Sequence, residues 1–204
     1  MPRNVFMLVQ VKIFVGASQS YAANDSNVRV YKDDKFAALM RTPPSSRYFK
    51  TVSDIEQLRH LLMYQSFYCD DLLGNAEFME EIRHADLVVG EMLYYCSALV
   101  ADKFDLPHVI ISAATLSTPM GLAFSIPSPP SYVPQWGASF RHELKFVDRV
   151  QNVVQWMLWY VFYIYDLCPM YNGLKVKHDI TPSKNIHETL GRVDLVLEIG
   201  RAHV

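Results

Sequence analysis

The stretch from Asp86 to Ser112 constrains the fold of this chain most, because two short apolar runs there flank a segment of helical composition. Asp86-Leu-Val-Val-Gly-Glu91 ends on a carboxylate, and Pro107-His-Val-Ile-Ile-Ser112 opens on a proline. Short β-branched runs bounded by polar or turn residues read as strands of a parallel sheet. Ala98-Leu-Val-Ala-Asp-Lys-Phe104 between them has the composition and length of a crossover helix. Residues 86–112 therefore predict a β-α-β unit with Glu91 at the carboxyl end of its first strand. Open parallel sheets bind ligands at that end. Val193-Asp-Leu-Val-Leu-Glu-Ile199 repeats the pattern and predicts a third strand.

The elements around this unit are legible in outline. A helix is predicted after Ser53, with Asp54 and Glu56 in its first turn and Ile55, Leu58, Leu61 and Leu62 on one face. A second, Ala76–His84, leads into the strand at Asp86. Ile126-Pro-Ser-Pro-Pro-Ser-Tyr-Val-Pro134 is a stiff loop whose four prolines remove donors and bar it from a ladder. Val150–Tyr165 carries no formal charge and is crowded with Trp and Tyr. Its 16 residues fall short of the roughly 17–20 needed to span a bilayer. They predict a buried helix first and peripheral membrane contact second.

Composition excludes more than it assigns. The net charge of −2 supplies no basic field for nucleic acid. Cys69, Cys96 and Cys168 match no metal spacing and read as core thiols. A hydrolase reading lacks a Gly-x-Ser-x-Gly motif, and a dinucleotide site lacks Gly-x-Gly-x-x-Gly after any strand. At the ends, residues 1–22 read either as a signal peptide interrupted by Lys12 or as an ordinary strand. Residues 1–50 form a loosely organised segment, 51–198 an incomplete α/β domain, and 199–204 a tail foreign to it.

The order of these motifs resembles the acceptor-binding N-terminal half of the UDP-glucuronosyltransferases and their UDP-glycosyltransferase relatives. Cys69-Asp-Asp-Leu-Leu-Gly-Asn75 and Phe78-Met79 precede Asp86 as similar residues do in that family. Phe146-Val-Asp-Arg-Val-Gln-Asn-Val153 resembles the family's Phe-x-(Asp/Glu)-Arg-x-x-Asn helix start, and the aromatic segment follows. Each motif is weak alone; their shared order from about Cys69 to Glu198 carries the resemblance.

That resemblance implies a Rossmann-like parallel sheet flanked by helices, one half of a two-domain GT-B glycosyltransferase. It implies transfer of glucuronate or glucose from a UDP-sugar to a small lipophilic acceptor, with no cofactor, the UDP-sugar being held mainly by a C-terminal half outside this chain. The alternative is a non-catalytic binding or regulatory module of the same fold. Residence on the lumenal side of the endoplasmic reticulum membrane, and homo- or hetero-oligomers, follow from the same source. An acceptor hydroxyl is a poor nucleophile and needs a general base. In the family this is a histidine oriented by an acidic residue at a strand end, a position that falls on Glu91. The competing reading of Glu91 is a cap on the next helix. No histidine here matches the base: His60 is mid-helix, His84 ends a helix and His108 enters a strand. Met120, Leu122, Phe124 and Tyr132 are candidates for an acceptor pocket.

Overall fold

The computed structural model describes residues 54–92, 94–112, 118–135 and 144–198, the side chains at 54, 55 and 57 excepted, together with the backbone of 13–16 and 28–31. The remaining stretches, including Ser53, most of residues 1–22 and the tail from 199, lie outside the described residues. Two compact units are present, Met1–Ser46 and Arg47–Val204. In the first, strands β1 (Ile13–Gly16) and β2 (Val28–Tyr31) pair in parallel.

The second unit runs α1 (Asp54–Gly74), α2 (Ala76–Arg83), β3 (Val88–Glu91), α3 (Cys96–Phe104), β4 (His108–Ser112), α4 (Thr118–Ala123), α5 (Phe146–Phe162), α6 (Cys168–Lys177), α7 (Ile186–Leu190) and β5 (Leu195–Glu198). Its sheet has the order β3-β4-β5, parallel throughout. This is the predicted Rossmann-like sheet flanked by helices, with the β-α-β unit where the apolar runs put it.

The helices obey the sequence with two corrections. On α1 the buried stripe is Leu58, Leu62, Gln65, Ser66, Cys69, Leu72 and Leu73, so Leu61, expected on that face, is 40 % exposed. The i, i+4, i+7 spacing from Leu58 selects Leu62 and Gln65, and Leu61 falls to one side of it. On α2, Asn75 caps the amide of Phe78, and His84 sits at the C-cap, the helix end read for it from the sequence. The second correction concerns α5. It was expected buried, yet only Asn152, Trp159 and Phe162 face the core. The opposite face exposes Val147, Val150, Val154, Met157 and Val161. Among the described residues, no helix is long and apolar enough to cross a membrane.

Beyond α5 the rod continues through a π-helical turn, Tyr163–Leu167, into α6. Pro169 stands in the first turn of α6. A proline inside a continuous helix removes a donor and crowds the carbonyl four residues back, and a widened turn just upstream accommodates it. Asp166, in that turn, meets Arg59 of α1 at 2.6 Å.

The cysteines are corrected as well. Cys69 and Cys96 are not separate core thiols but a disulfide that ties α1 to the start of α3, while Cys168 is free. The buried stripe of α1 turns Cys69 towards α3, which neither cysteine's spacing foretells. The bridge spans 27 residues of sequence. Closing a loop of this size in the unfolded chain is worth about 3–4 kcal/mol in the chain-entropy model. Reduction, or the double substitution Cys69→Ser and Cys96→Ser, is expected to lower the unfolding free energy by about that much. Urea unfolding with and without dithiothreitol measures it; an unchanged midpoint contradicts a stabilising bridge.

Candidate functional site

Parallel strands in register turn matched residues to the same face. Glu91 pairs with Ile111 and Ile111 with Leu197; Val89 pairs with Val109 and Val109 with Leu195. Glu91 therefore shares one sheet face with five apolar residues, of which Val89, Leu195 and Leu197 are exposed. The other face, carrying Gly90, Ile110 and Val196, is the one α3 covers. A Cβ on Gly90 would stand 2.1 Å from Ser97 Oγ of α3, so only glycine permits this approach. The half-buried Glu91 thus ends β3 at the rim of an open apolar face.

Electrostatics fix the surroundings of this carboxylate. Burial raises the pKa of Tyr94 and Tyr95, and the charge of Glu91 adds to both shifts. Tyr95 N-caps α3 without a side-chain capping bond, and no acidic residue occupies the first turn of that helix. Tyr95 also stacks on Phe124, with ring centroids 6.0 Å apart.

That contact decides the character of the pocket candidates. Met120 and Phe124 are buried packing residues, Leu122 is half-buried, and Tyr132 is 71 % exposed. Of the four, Phe124 packs against Tyr95, just beyond the end of β3. The proline loop is nonetheless fastened. Asn152 Nδ2 donates to the carbonyls of Pro130 and Val133, both at 2.7 Å, while Asn152 Oδ1 accepts from the Gln135 amide at 2.8 Å. Gln135 Nε2 donates to the Val133 carbonyl at 2.8 Å, and Thr118 Oγ1 donates to Gln135 Oε1 at 2.6 Å. Prolines leave carbonyls with no ladder to join, and two buried amides satisfy them. The other polar residues of that motif hold the helix start: the Asp148 carboxylate accepts from the Lys145 amide, and Arg149 donates to the Leu144 carbonyl. Asn152 was visible in the sequence only as a motif position; its partners were not.

The histidines fall at the other end of the sheet. His84 precedes β3, where it meets Glu80 at 3.4 Å, and His108 opens β4. Four further residues of strand, about 13 Å at 3.3 Å each, separate His108 from the carboxyl edge. Ser97 Oγ donates to the Tyr94 carbonyl, which assigns the proton between His108 and Ser97 to His108 Nε2, 3.0 Å away. Nδ1 is then a buried acceptor with no partner among the described residues. Burial pushes the pKa of His108 down to about 4, an effect that the Asp194 carboxylate only partly opposes. A cavity of about 280 Å³ lies at this amino edge, lined in part by Asp102, His108, Arg192 and Asp194. It is on the wrong side of the sheet to serve Glu91. Among the described residues, no cluster could hold a metal ion.

Two outcomes follow from this geometry. His108 stays neutral in the folded chain while the unfolded chain takes up a proton near pH 6.5. Stability is therefore full above pH 6.5 and falls as the pH drops towards 4, by about 2 kcal/mol between pH 7 and 4.5. His108→Gln is expected to flatten that slope in urea titrations, and an unchanged slope refutes the assignment. Asn152→Ala strands a buried amide and two carbonyls and is expected to cost about 3 kcal/mol, read from the same titrations at pH 7; a loss under about 0.5 kcal/mol, the level of an ordinary surface change, contradicts the clamp.

Comparison with known proteins bears on the same stretch. A family model described as UDP-glucoronosyl and UDP-glucosyl transferase matches residues 9–197. UDP-glucuronosyltransferase 3A1 of Bos taurus is 33% identical over 99 residues, covering 48% of this chain and 18% of that protein. UDP-glucuronosyltransferase 3A2 of Homo sapiens is 34% identical over 100 residues, with the same two coverages. UDP-glucuronosyltransferase 2B7 of Homo sapiens is 26% identical over 138 residues, 64% of this chain and 25% of that protein. The chain spans a quarter or less of the length of these relatives, and no solved structure matches it. A match that runs along nearly the whole chain, through both halves of the β-α-β unit and on to β5, means that this chain belongs to the UDP-glucoronosyl and UDP-glucosyl transferase family.

Proposed function

We propose that this chain is the acceptor-binding part of an enzyme that transfers a sugar, glucuronate or glucose, from a UDP-sugar to a small lipophilic molecule bearing a hydroxyl or carboxyl group. The observation that carries the reading is Glu91 at the carboxyl end of β3, on the same sheet face as Val89, Val109, Ile111, Leu195 and Leu197. Apolar walls with one or two fixed polar groups suit a lipophilic acceptor. In the reaction the acceptor oxygen forms a bond to the anomeric carbon as the bond from that carbon to the diphosphate oxygen breaks. UDP leaves with the electron pair, and the acceptor proton passes to a base. Glu91 acts as a positioning residue that orients this base and stabilises its protonated form, as a carboxylate does for a catalytic histidine. The UDP-sugar itself is held by a donor-binding half that these residues do not supply.

The disulfide between Cys69 and Cys96 supports a lumenal location, since such bridges persist in oxidising compartments. The second reading is a non-catalytic module of the same fold. It is favoured by one observation: His84 and His108 both stand at amino ends of strands, away from Glu91.

Kinetics on the full-length protein containing this sequence separate the two. Glu91→Gln is expected to lower kcat roughly 100-fold, within the range for acid–base partners, with KM little changed. A variant with wild-type kcat rejects the role of Glu91. The 204-residue chain by itself is expected to release no UDP from UDP-glucuronate or UDP-glucose with a phenolic acceptor; measurable turnover shows that the residues here suffice. A full-length protein that binds an acceptor but shows no turnover leaves the module reading standing.

A further inference from the structure

The cavity at the amino edge of the sheet has no part in the glycosyl-transfer reading, and its walls sort by depth. Ala98, Ala101, Asp102 and His108 are buried and form its floor, while Asp105, Arg192 and Asp194 are exposed and form its mouth. Its volume of about 280 Å³ falls just short of the roughly 300–1,000 Å³ of a drug-sized site. The charges around it do not cancel. Asp102 accepts from Lys175, Thr181, Thr189 and Arg192 and is saturated. Arg192 divides its donors between Asp102, at 2.9 Å, and Asp105, at 2.8 Å. Asp194 accepts from the His108 amide at 2.8 Å and forms no ion pair among the described residues. With Lys175 set against Asp102 and Arg192 against Asp105, the charge of Asp194 is left over. His108 is only 3 % exposed. Its amide and carbonyl are both engaged by Asp194 and its Nε2 by Ser97, which leaves Nδ1 as its unused polar atom. A buried acceptor without a donor costs free energy that a donor arriving from the cavity recovers.

We infer that this cavity is a binding site for a small primary amine, whose ammonium donates to His108 Nδ1 and to the Asp194 carboxylate while its carbon body rests on Ala98, Ala101, Leu106 and Pro107. Asp194 Oδ2 lies 2.8 Å from the His108 amide nitrogen, so the carboxylate and the imidazole belong to one wall. An ammonium carries three donors and no acceptor, which matches a wall that offers acceptors and an unbalanced negative charge. Its bonds to a carboxylate are of the stronger, charge-assisted kind. An anion would meet Asp105 and Asp194 at the mouth, where two carboxylates already hold the guanidinium of Arg192. A neutral hydroxyl answers Nδ1 but leaves Asp194 uncompensated. Water, at about 30 Å³ a molecule, has room and supplies a donor, yet it brings no charge to set against Asp194. Glu91 ends β3 at the opposite edge, so an amine here does not compete with a sugar acceptor.

The inference stands apart from the catalytic reading, because its test measures binding and not turnover. The probe is benzylamine, an ammonium on a single ring, and the protein is the full-length one containing this sequence. Equilibrium dialysis near neutral pH is expected to show saturable binding with a Kd of about 1 mM or below. Benzyl alcohol, which keeps the ring and a donor, and benzoate, which reverses the charge, are expected to bind roughly tenfold more weakly or not at all. His108→Phe removes the acceptor but keeps a buried ring, and Asp194→Asn removes the charge but keeps an oxygen for the His108 amide. Each is expected to weaken benzylamine by roughly tenfold or more. Glu91→Gln is expected to leave it unchanged, which separates this site from the acceptor face. Should His108→Phe unfold the protein, Asp194→Asn carries the test. Absence of saturable binding below about 10 mM overturns the inference, and is the result if the cavity holds only water or is filled by the rest of the full-length protein. So does equal binding of benzyl alcohol or benzoate, a Kd unmoved by Asp194→Asn or by a folded His108→Phe, or binding lost in Glu91→Gln.

Discussion

One buried carboxylate holds the second unit together. Asp102 lies on α3, its side chain 2 % exposed, and accepts from Lys175 Nζ at 2.8 Å, from Thr189 Oγ1 at 2.8 Å, from Thr181 Oγ1 and from Arg192 at 2.9 Å. Burial alone would raise its pKa, but the bonds from Lys175, Thr181 and Thr189 outweigh that and hold it down to about 2. A charge removed from water is tolerable only when its lone pairs are filled in this way. The partners come from α6, from the turn after it, from α7 and from the approach to β5. A single side chain on the crossover helix therefore sets where β5 arrives.

The consequence reaches the sheet. Asp194, just ahead of β5, accepts from the His108 amide at 2.8 Å, and its own amide donates to the His108 carbonyl. The amino edge is thereby tied by polar contacts, while at the carboxyl edge Glu91, Ser112 and Glu198 end the three strands. Glycine at position 90 lets α3 press onto the reverse face through Ser97. The sheet is asymmetric, with His108 and Asp194 joined at the amino edge and Glu91 ending β3 at the carboxyl edge. The clamp of Asn152 and Gln135 adds a second fixed boundary, because the loop it holds cannot make ladder bonds of its own.

Much of this arrangement was readable from residue order. Asp86–Ser112 announced two parallel strands and their crossover, since β-branched runs at that spacing have few other solutions. The helix expected over Ala76–His84 is α2, which Asn75 caps in the structure. Glu91 at a strand end followed from the same pattern. The disulfide did not, because a separation of 27 residues says nothing about which way two helices face. Nor did the Asp102 cluster, whose partners lie more than 70 residues along the chain. The one local clue was a charge directly after the apolar run Ala98–Ala101.

Local order determined the kinds of element, since each depends on spacing within about thirty residues, and the order of motifs from Cys69 to Glu198 determined the family. Tertiary packing decided the rest: which face of α5 meets the core, which of Leu122, Phe124 and Tyr132 sit inside, and where His84 and His108 stand relative to Glu91. A helix apolar on every side has no preferred inward face until a neighbour contacts it. Here that neighbour, engaging Asn152 through Gln135, is the proline loop.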